Sequence, residues 1–581
     1  MGRAGHIKGL SQQSKLSLVV FAIGLTSTEL ASAATISVDS SADTIAEDAF
    51  CTLREAIINA NNNDQSGSTD CAAGQASPTD VITFSGATNN VPIVLSRTGI
   101  NENAADTGDL DLTESVIISG NGAFGATEID GNGSDRVFEV RNGAAIQMYS
   151  LGITNGGSVT VGAGIYVFSG QLTMQDARVY GNLISAGPSS GSVSGAGIST
   201  LGPLSLTRVG IESNRIEALG ALAGQGAGIS VGTGGSVNLV TSRVLGNTIE
   251  TENGSASGGG LYNNPNNVAV NTGISSTIFS GNQVISSGDG GASGGAINHQ
   301  SGTLSILRGG IISNLARRTS DSGSSVASGG AIQAFDPVEI NSSTVSGNRV
   351  ESVDASWGGG FSLGDSGSLN NVTVTKNRVQ TSAGGSTFGG GIRGSASVVI
   401  SNTVVAENTS SNDNPDCHGG ISSDGYNLIG NNSGCNFTAD PTDMVGDVAG
   451  GDAVLDPMLV GLAANGGNIT IDGQEVIVLS HAPQVGSPLV DAGDPSGGTC
   501  QTIDQTGWGR VDGDDDGGVV CDIGAVEYRE GLPAPIATGS GGGGDGSGSG
   551  SGGSGGGGAL SAWLLPVLAG LLRRRRQSRK Q

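Results

Sequence analysis

Between residues 160 and 410 the chain repeats one pattern: three small residues followed by a large apolar one. GAGI occurs three times, then GGGL, GGAI twice, GGGF and GGGI. They end at Ile165, Ile198, Ile229, Leu261, Ile297, Ile332, Phe361 and Ile392. An asparagine follows each anchor after 16 to 21 residues, closing VYGN, IESN, VLGN, FSGN, IISN, VSGN, VTKN and VAEN. These are Asn182, Asn214, Asn247, Asn282, Asn314, Asn348, Asn377 and Asn408. The next anchor comes 13 to 18 residues later, so one period of roughly 32 residues governs the middle of the chain.

Inside each unit the apolar residues alternate. LTMQ, LSLT, VNLV, LSIL, VEIN and VTVT put them two apart, on one face of a strand. No sustained helical period occurs between 140 and 410. A unit of this length with two or three short strands cannot bury an apolar face alone, and stacking such units does. The pattern therefore predicts an all-β fold: a right-handed parallel β-helix whose anchors form an interior column. The glycines are expected at coil corners, where positive φ or close backbone approach excludes a Cβ. Asparagine suits a turn because it bonds nearby backbone and tolerates the left-handed region, and stacked amides can form a ladder. Polar segments such as SAGPSSGSVS and SSGDGGAS are expected as loops on one flank.

The two ends depart from this pattern. Arg3, Lys8 and Lys15 precede the apolar run LSLVVFAIGL, and Ala31-Ser32-Ala33 supplies a small-residue cleavage site. Residues 1–33 read as a signal peptide cut between Ala33 and Ala34. Residues 34–115 read as an N-terminal cap, with Thr52 and Glu55 forming a capping box and Leu53, Ala56, Ile57 and Ala60 on one helical face. The repeats occupy 116–410, a C-terminal region 411–530, and a flexible Gly/Ser linker 531–558. The last segment, 559–581, joins ALSAWLLPVLAGLL to RRRRQSRK; it is short for a bilayer span and is expected to anchor the chain only transiently in an inner membrane.

Charge sharpens the picture once the ends are set aside. Residues 1–33 hold three Lys/Arg and one Glu, and 559–581 hold six Lys/Arg and no acid. The remainder has 17 basic and 51 acidic residues, a balance of −34. Such a surface repels nucleic acid and anionic lipid. The six cysteines fall into three local couples, Cys51 with Cys71, Cys417 with Cys435 and Cys500 with Cys521. Fifteen connectivities are open to six cysteines; local pairing is favoured because no C-x-x-C metal spacing exists and an exported chain meets oxidising conditions.

Several segments resemble known families. FCTLREAIINAN, with Cys51-Thr-Leu-Arg-Glu-Ala56, closely resembles the CSLREA domain, Thr52 replacing its serine. DPMLVGLAANGG, GSPLVDAG, IDQTG and CDIGAVEY, spread over about 400–528, resemble the choice-of-anchor Q region of bacterial surface proteins. The Gly-rich tail is similar to the GlyGly-CTERM sorting signals of Gram-negative bacteria, which the rhomboid-type protease rhombosortase removes. The pairing of GGAI with FSGN resembles the repeats of chlamydial polymorphic outer-membrane proteins, a β-helix class of surface adhesin, although no autotransporter barrel follows. Together these imply an exported, cell-surface or extracellular protein that meets export machinery and a rhomboid-type sorting protease.

Motifs for chemistry are sparse. Asp512, Asp514 and Asp516 begin like a calcium loop, but Ile523 stands where an EF-hand needs glutamate, leaving a looser calcium site or an acidic turn. GDSG at 364–367 lacks a histidine in matching context. GNGAFG at 120–125 lacks a following helix and reads as a corner. Asp109, Asp111 and Asp130 carry no lyase or hydrolase motif. The expectation is a surface protein without catalytic residues that binds a glycan or matrix polymer; the alternative is a β-helix polysaccharide lyase or glycoside hydrolase.

Overall fold

In a computed structural model of the chain, residues 32–529 are described, apart from 101, 189–190, 268–269, 322–324, 395–397, 413, 449, 466–467, 472–473 and 511–519. The signal segment, the linker, the sorting tail and Asp512, Asp514 and Asp516 lie outside the described residues. The repeats form a parallel β-solenoid. The anchor ladder runs Leu110, Phe138, Ile165, Ile198, Ile229, Leu261, Ile297, Ile332, Phe361, Ile392 and Cys417, each paired with the next in parallel register. All eleven side chains are fully buried. Adjacent rungs stand ~4.8 Å apart, and burial of each apolar anchor contributes about 25 cal/mol per Å² to the stack.

Each coil carries more strand than the alternation predicts. One coil comprises Ile165–Val167, Gly170–Gln175, Arg178–Tyr180, Leu183–Ala186 and Ser192–Ser194, five strands rather than two or three. The segments expected as loops after each asparagine contain the last two of these, and both stack from coil to coil. In this coil each buries a single residue, Ile184 and Val193; in later coils the strand after the asparagine buries two, but the second is small or polar, as at Ala218, Thr251 and Ser286, so the apolar alternation does not show. These residues line a second, smaller core.

The ladders also cross the boundaries drawn from sequence. Asp80–Phe84, paired with Thr35–Val38, pairs with Val116–Ser119, and Ile392–Gly394 and Val398–Ser401 pair with Cys417–Ser423. The helix Leu53–Asn62 has both arms of the capping box at Thr52 and Glu55. It is buried from Leu53 to Ala60, not on one face alone. Arg54 lies inside, its guanidinium donating to Asp43 Oδ1 (2.5 Å) and Oδ2 (3.2 Å) and to the carbonyls of Ala105, Gly108 and Asp109. All five N–H groups are used, so its role is structural.

Residues beyond 456 fold back against the last coils. Thr344 Oγ1 donates to Gln505, Ala525 N to Thr373 Oγ1, Gly524 N to the Asn402 carbonyl, and Ser346 Oγ meets His481 Nε2 at 2.8 Å. The three disulfides pair Cys51 with Cys71, Cys417 with Cys435 and Cys500 with Cys521. Such bonds form and persist in oxidising compartments. Among the described residues no helix is long and apolar enough to cross a membrane.

Candidate functional site

Each coil has three corners with positive φ, one of them at Asp176, Arg208, Thr241, Ser276, Arg308, Ser342, Asn371 and Asn402, and the other two are built by different devices. The first glycine of each small-residue cluster has φ between +59° and +67°. At Gly358 a Cβ would also sit 2.0 Å from the Phe361 carbonyl oxygen, so two separate constraints exclude any other residue. At the opposite corner the left-handed residue is the one before the asparagine, not the asparagine itself: Gly181, Ser213, Gly246, Gly281, Ser313, Gly347, Lys376 and Glu407 have φ from +53° to +67°. The asparagines point inward and are buried. Each Nδ2 donates to the Oδ1 of the next, from Asn182 to Asn408, at 2.9–3.0 Å. The last donates to Asp416 Oδ1 at 2.9 Å. The amides are thus interior fasteners with no free group for a ligand.

Two stacked rows flank the glycine corner; between Tyr166 and Tyr262 they open into a groove, whereas Asp111, Glu139, Asn298, Gln333 and Ser362 of the tyrosines' row are buried. One wall is the residue after each anchor, which the register stacks as Asp111, Glu139, Tyr166, Ser199, Ser230, Tyr262, Asn298, Gln333, Ser362, Arg393 and His418. Ten steps of ~4.8 Å give this row a length of ~48 Å. The other wall stacks Ser194, Gln225, Ser257, Ser293, Ser328, Trp357 and Phe388.

Within the groove, Tyr166 and Tyr262 stand three rungs apart, ~14 Å. Between them a depression of about 280 Å³ is floored by Ser199 and Ser230 and flanked by Gln225 and Asn264. Both tyrosines are half-buried, and burial raises both phenols above their ordinary range, so they stay neutral donors. Arg136 lies 5.3 Å from the Tyr166 ring centre. Polar floor and ring walls form a surface suited to neutral, hydroxyl-rich ligands.

Further along, the rings and cations stack across the groove. The Arg393 guanidinium sits 4.5 Å from the centre of the Trp357 ring, and His418 lies 4.4 Å from Phe388. Burial lowers Arg393, and burial followed by the Arg393 charge lowers His418, so His418 is neutral at physiological pH. Ser362 Oγ and Trp357 Nε1 are buried without a hydrogen-bond partner.

The acids noted in the sequence separate. Asp109 and Asp111 cluster at the N-terminal end of the groove row, whereas Asp130 accepts from Asn132 and Asn155 in a turn. The other two histidines among the described residues are committed elsewhere: His299 contacts Asn263 and the Gly302 carbonyl, and His481 contacts Ser346 and the Val460 carbonyl. Neither partner set includes Ser366 of GDSG. Sequence reading missed Tyr166, Tyr262, Trp357, Phe388, Arg393 and His418. The signal was present as the residue directly after, or four before, each anchor, and became readable only once the anchor register fixed which side faces out. No protein-family model matches the chain, and no curated protein is significantly similar to it.

Proposed function

We propose that this is an exported, cell-surface or extracellular binding protein that holds a glycan or matrix polymer along the glycine-corner groove without cleaving it. The observation that carries the reading is the trough between Tyr166 and Tyr262, with its serine floor; their row continues to Arg393, which stacks on Trp357 of the facing row. Rings present flat faces to sugar rings, and Ser, Gln and Asn exchange hydrogen bonds with hydroxyls. Solenoids use such extended stacked surfaces for binding long partners. The N-terminal leader, the paired cysteines, the resemblances to the CSLREA and choice-of-anchor Q regions, and the GlyGly-type tail support export followed by trimming by a rhomboid-type protease.

The test uses the mature chain, 34–538, with a panel of soluble polysaccharides in affinity electrophoresis and calorimetry. Retardation without turnover is expected, and Tyr166→Ala or Tyr262→Ala should each weaken binding about tenfold, or about 1.4 kcal/mol. Binding that is indifferent to both substitutions refutes the groove. New reducing ends or unsaturated products would replace this reading with a lyase or hydrolase.

A further inference from the structure

A cluster of carboxylates at the N-terminal end of the solenoid has a geometry that neither the fold nor the groove requires. One oxygen each from Glu102, Asp109 and Asp111 lies within 4.8 Å of the other two. Asp109 is 4% exposed and Asp111 is 0% exposed. Asp111 Oδ2 accepts from Ala105 N at 3.2 Å, but Oδ1 is buried and accepts no hydrogen bond, the Arg141 Nε being 3.8 Å away. Glu102 is pinned from its own loop, accepting from Ala104 N at 2.9 Å and Thr107 N at 3.0 Å.

The local charge does not balance. Asp135 and Glu139 bring the carboxylates to five, and Arg136 and Arg141 supply two guanidiniums, leaving three negative charges. Arg136 reaches Asp109 Oδ2 and Glu139, each at 3.0 Å, and Arg141 reaches Glu139 at 2.9 Å, so Glu102 and Asp111 gain least from the arginines. Buried carboxylates in such excess either hold protons or meet a cation.

We propose that Glu102, Asp109 and Asp111 form a binding site for a hard divalent cation of the calcium class. The donor set is oxygen only, which disfavours soft metals. Calcium–oxygen bonds of about 2.3–2.6 Å let opposed ligands stand up to about 5 Å apart, which accommodates oxygens within 4.8 Å of one another, and magnesium gives up its water reluctantly to a buried site of this kind. The ion would tie segment 102–109 to the strand Leu110–Leu112, and the same segment supplies the carbonyls that hold Arg54. This site is separate from the acidic run at 512–516 and does not depend on the groove binding anything.

Titrating the chelator-treated mature chain with calcium chloride, by calorimetry and by thermal melting, tests it. Calcium should bind with proton release and raise the melting temperature, and magnesium should bind at least tenfold more weakly. Asp111→Asn and Glu102→Gln should each weaken this binding at least tenfold, while the triple change Asp512→Asn, Asp514→Asn, Asp516→Asn leaves it intact. Glu102 is partly exposed, so its variant remains informative if Asp111→Asn misfolds. An unchanged calcium isotherm in Glu102→Gln overturns the site, as does the absence of any heat or melting shift at millimolar calcium.

Discussion

Asn282 shows what the recurring asparagine does. Its Oδ1 accepts from Asn247 N (3.1 Å) and Asn247 Nδ2 (2.9 Å), and its Nδ2 donates to Asn314 Oδ1 (3.0 Å) and the Val244 carbonyl (2.9 Å). All four positions of the amide are filled inside the protein. Asn282→Leu keeps the volume roughly constant but strands two donors on Asn247. At about 1–3 kcal/mol for each orphaned group, it should lower unfolding free energy by about 4 kcal/mol. Urea unfolding followed by circular dichroism measures this, and a midpoint equal to the parent's would show that the ladder contributes nothing. The repeat made these asparagines legible from sequence, together with the possibility of stacking. The residue that takes the left-handed turn was not legible, because Gly, Ser, Lys and Glu all occupy it and composition gives no common sign.

At the scale of elements, the helix Leu53–Asn62 works as a plug more than as an amphipathic surface. A helix buried throughout its first eight residues must hide its polar groups, and Arg54 does so by spending every donor on Asp43 and three carbonyls. Sequence showed the capping box and one apolar stripe; it could not show that Asp43 and residues 105–109 close over the other side. Arg54→Met should cost about 3–5 kcal/mol, because it leaves Asp43 buried and unpaired. Thermal unfolding of Arg54→Met beside Asp43→Asn/Arg54→Met measures it: the double variant should regain part of the loss, and a double variant no better than the single would refute the pairing argument. The strands after each asparagine were illegible for a related reason. A strand of two to four residues that buries one large apolar side chain, or one with a small or polar second, shows no apolar period, and its stacking on equivalent strands makes it a strand.

For the whole molecule, the solenoid is long and all its coils are coupled, so a buried titratable group at one coil shifts the stability of all. Asp416 accepts from Asn408 Nδ2, Asn408 N and Asn431 N. Desolvation outweighs these donors and raises its carboxyl to about 7. In the unfolded chain it ionises near 4. As pH rises from about 4 to about 7, the unfolded state therefore loses its proton first, and stability falls by up to about 1.4 kcal/mol per pH unit, levelling above 7. Asp416→Asn should flatten that part of the profile. Denaturant unfolding from pH 4 to 8 compares them, and parallel profiles for parent and variant would refute the assignment.

The asparagine ladder also has a direction. Backbone bonds between parallel strands point alternately up and down the axis and largely cancel. The side-chain amides do not alternate: each from Asn182 onward hands its hydrogen to the following coil, and the series stops at Asp416, whose Oδ1 accepts the last one. Their dipoles accordingly add along the axis, with the electropositive pole resting on a carboxylate. The molecule is electrically polar from end to end before a single surface charge is counted, and every coil gained or lost would lengthen or shorten that axial dipole by one increment.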